Sequence, residues 1–144
     1  MIMSTIKMDD DSSAKSITDV LHDAEIIAVS VNRFDSIGRV DLRLENGTFH
    51  TVELHGLKAF RCEDLVLQNV VNRVLQSVEM QISSADCEHW IKWVTSVSDA
   101  SSWLDEKRKK TWLIDLAVGK INLIVFEPSA GATLTMICER AVLL

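Results

Sequence analysis

The chain of 144 residues is predicted to be a single α+β domain. An antiparallel sheet of about six or seven strands packs against two or three helices from the middle of the chain. Three observations predict it. Gly38, Gly47, Gly56, Gly119 and Gly131 fall between short apolar runs, residues 57 to 118 contain no glycine, and Asn46-Gly47 separates two alternating segments. Glycine takes positive φ without penalty and collects where strands reverse, and Asn-Gly is the strongest short hairpin signal. Two strand-rich ends therefore flank a helical middle, as in many α+β domains.

Residues 1–11, MIMSTIKMDDD, are expected to be a flexible lead. Ser12 to His22 follows as a short helix with Ile17, Val20 and Leu21 on one side. Glu25 to Arg33 alternates as a strand, with Ile27, Val29 and Val31 on one face. After a turn at Asp35 to Gly38, Val40, Leu42 and Leu44 alternate with charged residues, and Thr48 to Leu54 returns antiparallel beyond the Asn-Gly turn. A fourth short strand is expected around Leu57 to Cys62. The period then changes. Leu67, Val70, Val71, Val74, Leu75 and Val78 recur at three and four residues, which predicts an amphipathic helix opening near Asp64.

A second helix is expected from Ser84–Asp86, carrying Cys87, Trp90, Ile91, Val94 and Val97, with Trp90 as a core anchor. Asp99 to Lys110 reads as either a third helix or a charged loop. Alternation at Trp112, Ile114, Leu116 and Val118 predicts a strand, with a turn at Gly119-Lys120. Ile121 to Phe126 is apolar on both faces, as in a central strand. Pro128 to Gly131 turns again, and Leu134, Met136 and Cys138 alternate.

Hydrophobic residues make up 47% and charged residues 25% of the chain, with a net charge of −6. That composition belongs to a globular domain, and its acidity disfavours nucleic acid, which needs a dense basic surface. No signal-like or membrane-spanning apolar stretch is visible, and three cysteines without a CxxC pair suggest free thiols. A cytoplasmic location is the expectation.

No phosphate-loop, dinucleotide or hydrolase motif occurs, so no catalytic, cofactor or metal residues are assigned. His50 and His55 are five apart on one strand and point to opposite faces, against a shared ion. Cys87 and His89 diverge on a helix, and the thiol continues an apolar stripe. Lys107-Arg108-Lys109-Lys110 reads as a solvated helix end or loop, preceded by Trp103. The acidic stretch is more suggestive. Asp9, Asp10, Asp11, Asp19, Asp23 and Glu25 surround a single Lys15, a surface suited to a basic protein partner. Asp19, His22, Asp23 and Glu25, with Trp103, are the candidate partner contacts. A competing reading is a small enzyme whose site gathers scattered residues such as His22, Asp23, His50 and Cys62.

Leu21-His22-Asp23-Ala24-Glu25-Ile26, Gln68-Asn69-Val70-Val71 and Glu127-Pro128-Ser129-Ala130-Gly131-Ala132 together resemble a group of small bacterial proteins. Some of these are immunity proteins of polymorphic or contact-dependent toxins. The resemblance implies a non-catalytic protein that neutralises a toxin domain by binding it, and it brings no catalytic residues with it.

Overall fold

The computed structural model describes residues 6–8, 17–98 and 101–144. Nine strands form one sheet in the order β1-β9-β4-β3-β2-β6-β7-β8-β5. They are β1 (Ile6–Met8), β2 (Glu25–Asn32), β3 (Ile37–Arg43), β4 (Phe49–His55), β5 (Ala59–Glu63), β6 (Val70–Gln76), β7 (Asn122–Ala130), β8 (Thr133–Cys138) and β9 (Arg140–Leu143). Eight of them run antiparallel to their neighbours, and β1 pairs in parallel with β9. The α+β class and the antiparallel sheet are as predicted, with more strands than the six or seven expected. Helices α1 (Ile17–Leu21), α2 (Ser84–Val94) and α3 (Glu106–Ala117) complete the fold, with a 3-10 turn at Ser77–Glu79. Among the described residues no helix is long and apolar enough to cross a membrane.

The sheet closes on itself. β4 and β5 are two halves of one bent strand, and so are β8 and β9. The two bent strands run antiparallel, with His55 opposite Arg140 and Ala59 opposite Ile137. The ladder continues across the bend, where Glu139 N–H donates to His55 O at 3.0 Å and Lys58 N–H to Ile137 O at 2.8 Å. A ring of β2, β3, β4, β9–β8, β7 and β6 follows from these pairings. Closure removes most of the exposed edges that an open sheet would present. Its last contact is narrow, because β6 meets β2 at a single registered pair, Glu25 and Val70.

Ring closure gives the sheet an inside and an outside, each with its own core. Inside, Ile26, Val40, Leu42, Val52, Leu54, Val71, Val74, Ile124, Phe126, Leu134, Met136 and Leu143 pack together, and α1 adds Ile17 and Leu21. Outside, Cys87, Ile91 and Val94 of α2, Leu116 of α3 and Leu104 from the segment between them cover Leu123, Val125 and Ile137. This explains why residues 121–126 are apolar on both faces: Ile124 and Phe126 point into the ring, Leu123 and Val125 under the helices. Trp90, expected as an anchor, is only partly buried at the rim, edge-on to Trp93 with centroids 5.5 Å apart. The buried residues of α2 are Cys87, Ile91 and Val94, and Val97 lies exposed beyond its end.

Two predicted elements are replaced. The helix expected from Asp64 to Val78 is a loop, strand β6 and the 3-10 turn. Val71 pairs with Pro128 and Arg73 with Glu127, so Asn72 is an extra residue in the ladder. The bulge turns Val71 and Val74 to the same side, and both are buried three apart. A bulged strand thus reproduces the spacing of a helix. β-branched Val70, Val71 and Val74 also suit the pleated conformation.

The strand expected over 112–118 is instead the second half of α3. Lys109, Trp112, Leu113 and Leu116 at least partly face the protein while Ile114 is 63% exposed, which is helical spacing. Asp105 caps this helix by accepting from Arg108 N–H at 2.7 Å, and the capping bond holds its carboxyl below the usual range. The alternative of a charged loop up to residue 110 therefore ends at the cap.

Ile27 is exposed because the β2 register shifts between Ile26 and Ala28 and turns Ile26 inward instead, and Val31 is exposed near the end of β2 opposite Gly38. Pro128 sits within β7 beside its own irregularity, where a missing N–H is tolerated, and the turn comes later at Gly131. The fourth strand, β5, pairs with β8 and not with the meander. Ile6–Met8 forms a strand where a flexible lead was expected, and the rest of that lead lies outside the described residues, as do positions 12–16 of the predicted first helix.

Phe126→Ala should lower the unfolding free energy by about 3–5 kcal/mol, the usual cost of emptying a core aromatic site. Ile114→Ala should stay within about 0.5 kcal/mol, as exposed positions do. Urea unfolding of both variants measures the contrast, and comparable losses would contradict the helical placement of Ile114.

Candidate functional site

Residues 21–26, 68–71 and 127–132 meet in space, and Asn69 joins them. Its side chain is 2% exposed. The amide oxygen accepts from Val66 N–H at 2.9 Å and Ala132 N–H at 3.1 Å, and the amide nitrogen donates to Val66 O at 2.7 Å. Its backbone carbonyl accepts from Ile26 N–H at 2.8 Å. Val71 N–H donates to Ala24 O, and Asp23 N–H to Val71 O, each at 2.9 Å. Residues 21–26, 68–71 and 127–132 are therefore one hydrogen-bonded seam where the ring closes.

Gly131 is required there. Its φ is +80°, and a methyl group would overlap the Asn69 amide oxygen and lie 2.9 Å from Gln68 O.

Two features project from this seam. The first is the loop between β5 and β6, where Leu65, Val66 and Leu67 are 53%, 57% and 103% exposed in succession. Asp64 turns the chain with φ +62°, and Asn69 ties Val66 down from below, so three apolar side chains stand on a fixed backbone. Their apolar character was visible in the sequence, but the helical reading assigned Leu67 to a buried stripe.

The second feature is acidic. Asp19 and Asp23 are exposed and Glu25 is partly buried at the start of β2. His22 lies among them, with Nδ1 2.7 Å from Asn72 O, the carbonyl freed by the β6 bulge, and Nε2 3.5 Å from the Asp23 carboxylate. The Asn72 carbonyl, and after it the Asp23 charge, raise the histidine's pKa above its ordinary value.

The sequence-derived contacts are thus divided. Asp19, His22, Asp23 and Glu25 share the seam. Trp103 belongs to the helical layer, edge-on to Trp112 with centroids 6.1 Å apart. Asp9, Asp10 and Asp11 lie outside the described residues.

The residues of the competing enzyme reading do not assemble. His22 and Asp23 are in contact, whereas His50 Nδ1 lies 3.0 Å from Leu144 O on β4, and Cys62 sits in β5 opposite Leu134. Burial pushes the Cys62 and Cys87 thiols up, and the Cys138 thiol up to about 12. Burial therefore disfavours the thiolate form that a nucleophile needs. Cys87 Sγ faces Ile82 O at 3.9 Å while His89 stacks edge-on against Trp90. Among the described residues no group of three His, Cys, Asp or Glu side chains is placed to hold a metal ion.

No family model, curated protein or solved structure matches this chain.

Two outcomes test the seam. Gly119 and Gly131 both have positive φ, but nothing lies within 4 Å of a methyl at Gly119. Gly119→Ala should cost about 1 kcal/mol from backbone conformation alone, and Gly131→Ala should cost clearly more, measured by chemical unfolding. Equal costs would mean that Asn69 yields freely.

In a proton NMR titration the His22 midpoint should lie above about 6.5, and Asp23→Asn should lower it only in part because the Asn72 carbonyl remains. A raised folded-state pKa stabilises the fold fully below the unfolded value. That contribution is lost as pH rises through the folded one.

Proposed function

We propose that this chain is a non-catalytic, cytoplasmic protein-binding module, an immunity-type inhibitor that neutralises a basic toxin domain by occupying it. The observation that carries the reading is the continuity of the acidic residues with the rigid apolar loop. Asn69 links them, with its side chain on Val66 and its carbonyl on Ile26, the residue after Glu25, while Asp64 precedes Leu65 in the chain. Charge steers association and rejects wrong partners, while a prearranged apolar anchor is immobilised at little entropic cost. The resemblance of the seam motifs to immunity proteins points the same way.

The division of labour predicts separate kinetic signatures. With the protein encoded by the adjacent gene as partner, Asp19→Lys with Asp23→Lys should slow association several-fold at low salt and flatten its salt dependence. Leu67→Asp should act on dissociation, as losses of contact generally do. Raising the pH from 6 to 8 should speed association, because deprotonated His22 no longer offsets its acidic neighbours. Stopped-flow rates at two salt concentrations measure all three. Unchanged rates in the charge-reversed and Leu67 variants would remove the seam from the interface.

A further inference from the structure

We propose that the outer edge of β2 pairs antiparallel with the β2 edge of a second copy of this chain, joining two rings through a two-fold axis at Ser30. The inference rests on the edge itself and not on the toxin-binding reading.

β2 and β6 share one registered pair, Glu25 and Val70, and then part. The β6 side of the opening is closed by α1: Val74 N–H donates to Thr18 Oγ1 at 3.1 Å, and Thr18 Oγ1 donates to Val74 O at 2.7 Å. The β2 side is different. From Ala28 to Asn32 the strand is registered with β3 alone, and among the described residues no other backbone group bonds it. Ile27, Ala28, Ser30, Val31 and Asn32 are all exposed.

Unpaired strand edges recruit other strands unless charge, proline or a bulge blunts them. Ile26 to Asn32 holds no charged residue, proline or glycine, and the bulge comes before Ala28, leaving the stretch beyond it regular.

The edge is also complementary to itself. A two-fold at Ser30 sets Val29 opposite Val31 of the second copy in both halves, and pairing from Ala28 to Asn32 stays clear of the Ile26–Asn69 bond. Antiparallel pairing brings the end of each β2 beside the start of the other. The Arg33 guanidinium lies over the Phe34 ring at 5.1 Å and, among the described residues, in no ion pair. In the dimer it approaches Glu25 and Asp23 of the second copy. Phe34, 88% exposed, approaches the Leu65–Leu67 loop, which Asn69 fixes beside Ile26. Opposite charges and apolar groups thus meet twice, as an isologous interface requires.

Sedimentation velocity of the full chain across a dilution series should show a monomer–dimer equilibrium. Val31→Lys puts a charge on the edge and should leave a monomer throughout, while Arg33→Glu should weaken the dimer about tenfold by setting like charges together. Both side chains are exposed, and an unchanged thermal midpoint establishes that the variants fold. Ser30→Cys reads the register. Opposite residues of an antiparallel pair have Cα atoms about 4.5–5.5 Å apart, within disulfide reach. Mild oxidation should therefore give a covalent dimer that neither Arg39→Cys nor the native chain forms. A dimer that survives Val31→Lys, or absence of the Ser30→Cys cross-link, would overturn the pairing. A monomer at every concentration would overturn it too, whether the β2 amides are protected from exchange by another segment of the chain or open to a strand from outside.

Discussion

The narrowest point of this protein is the β2–β6 closure, where backbone bonds join residues 23–26 to Asn69 and Val71 and the buried Asn69 carboxamide fixes the chain beside them. One registered pair joins the two strands, far less than the ladders elsewhere in the ring. The Asn69 carbonyl adds a bond from Ile26 N–H, Val71 exchanges bonds with Ala24 and Asp23, and the Asn69 carboxamide satisfies three backbone groups of the neighbouring loops. An unpaired buried polar group costs about 1–3 kcal/mol, so the arrangement works only when every member is present. Gly131 must remain small for the same reason.

Closing the ring forces the remaining residues into two layers. Side chains of β7 and β8 serve both cores, Phe126 and Leu134 inward and Leu123 and Ile137 outward. The helices therefore have an apolar surface waiting for them, and their own stripes need only be narrow. Near the end of β6 the polar residues also find each other: Asn122 donates to Gln76 at 2.9 Å, and Ser77 Oγ accepts from Leu123 N–H. These bonds tie the 3-10 turn to the sheet before the chain leaves to form α2.

Surface character follows from the same irregularities that shape the ring. The Asn72 bulge frees the carbonyl that meets His22. The Asp64 turn lifts Leu65 to Leu67 into solvent. Departures from regular strand geometry commonly lie beside functional sites, where they re-aim side chains.

By itself the sequence determined the features that rest on neighbouring residues. The Asn46-Gly47 hairpin, the alternation of Val40 and Leu42, the start of the helix at Ser84 and the doubly apolar run ending at Phe126 are all local patterns. They appear as read. The acidic cluster was equally legible, because charge needs no partner to be counted. Tertiary structure decided the rest. Val70 to Gln76 carries a spacing that fits either a helix or a bulged strand, and only pairing with β7 selects the strand. Trp112 to Val118 alternates like a strand, yet the Asp105 cap and the apolar face under α3 make it helical. The seam was invisible for a physical reason: Asn69 meets Ala132 only after strands far apart in the chain have closed the ring.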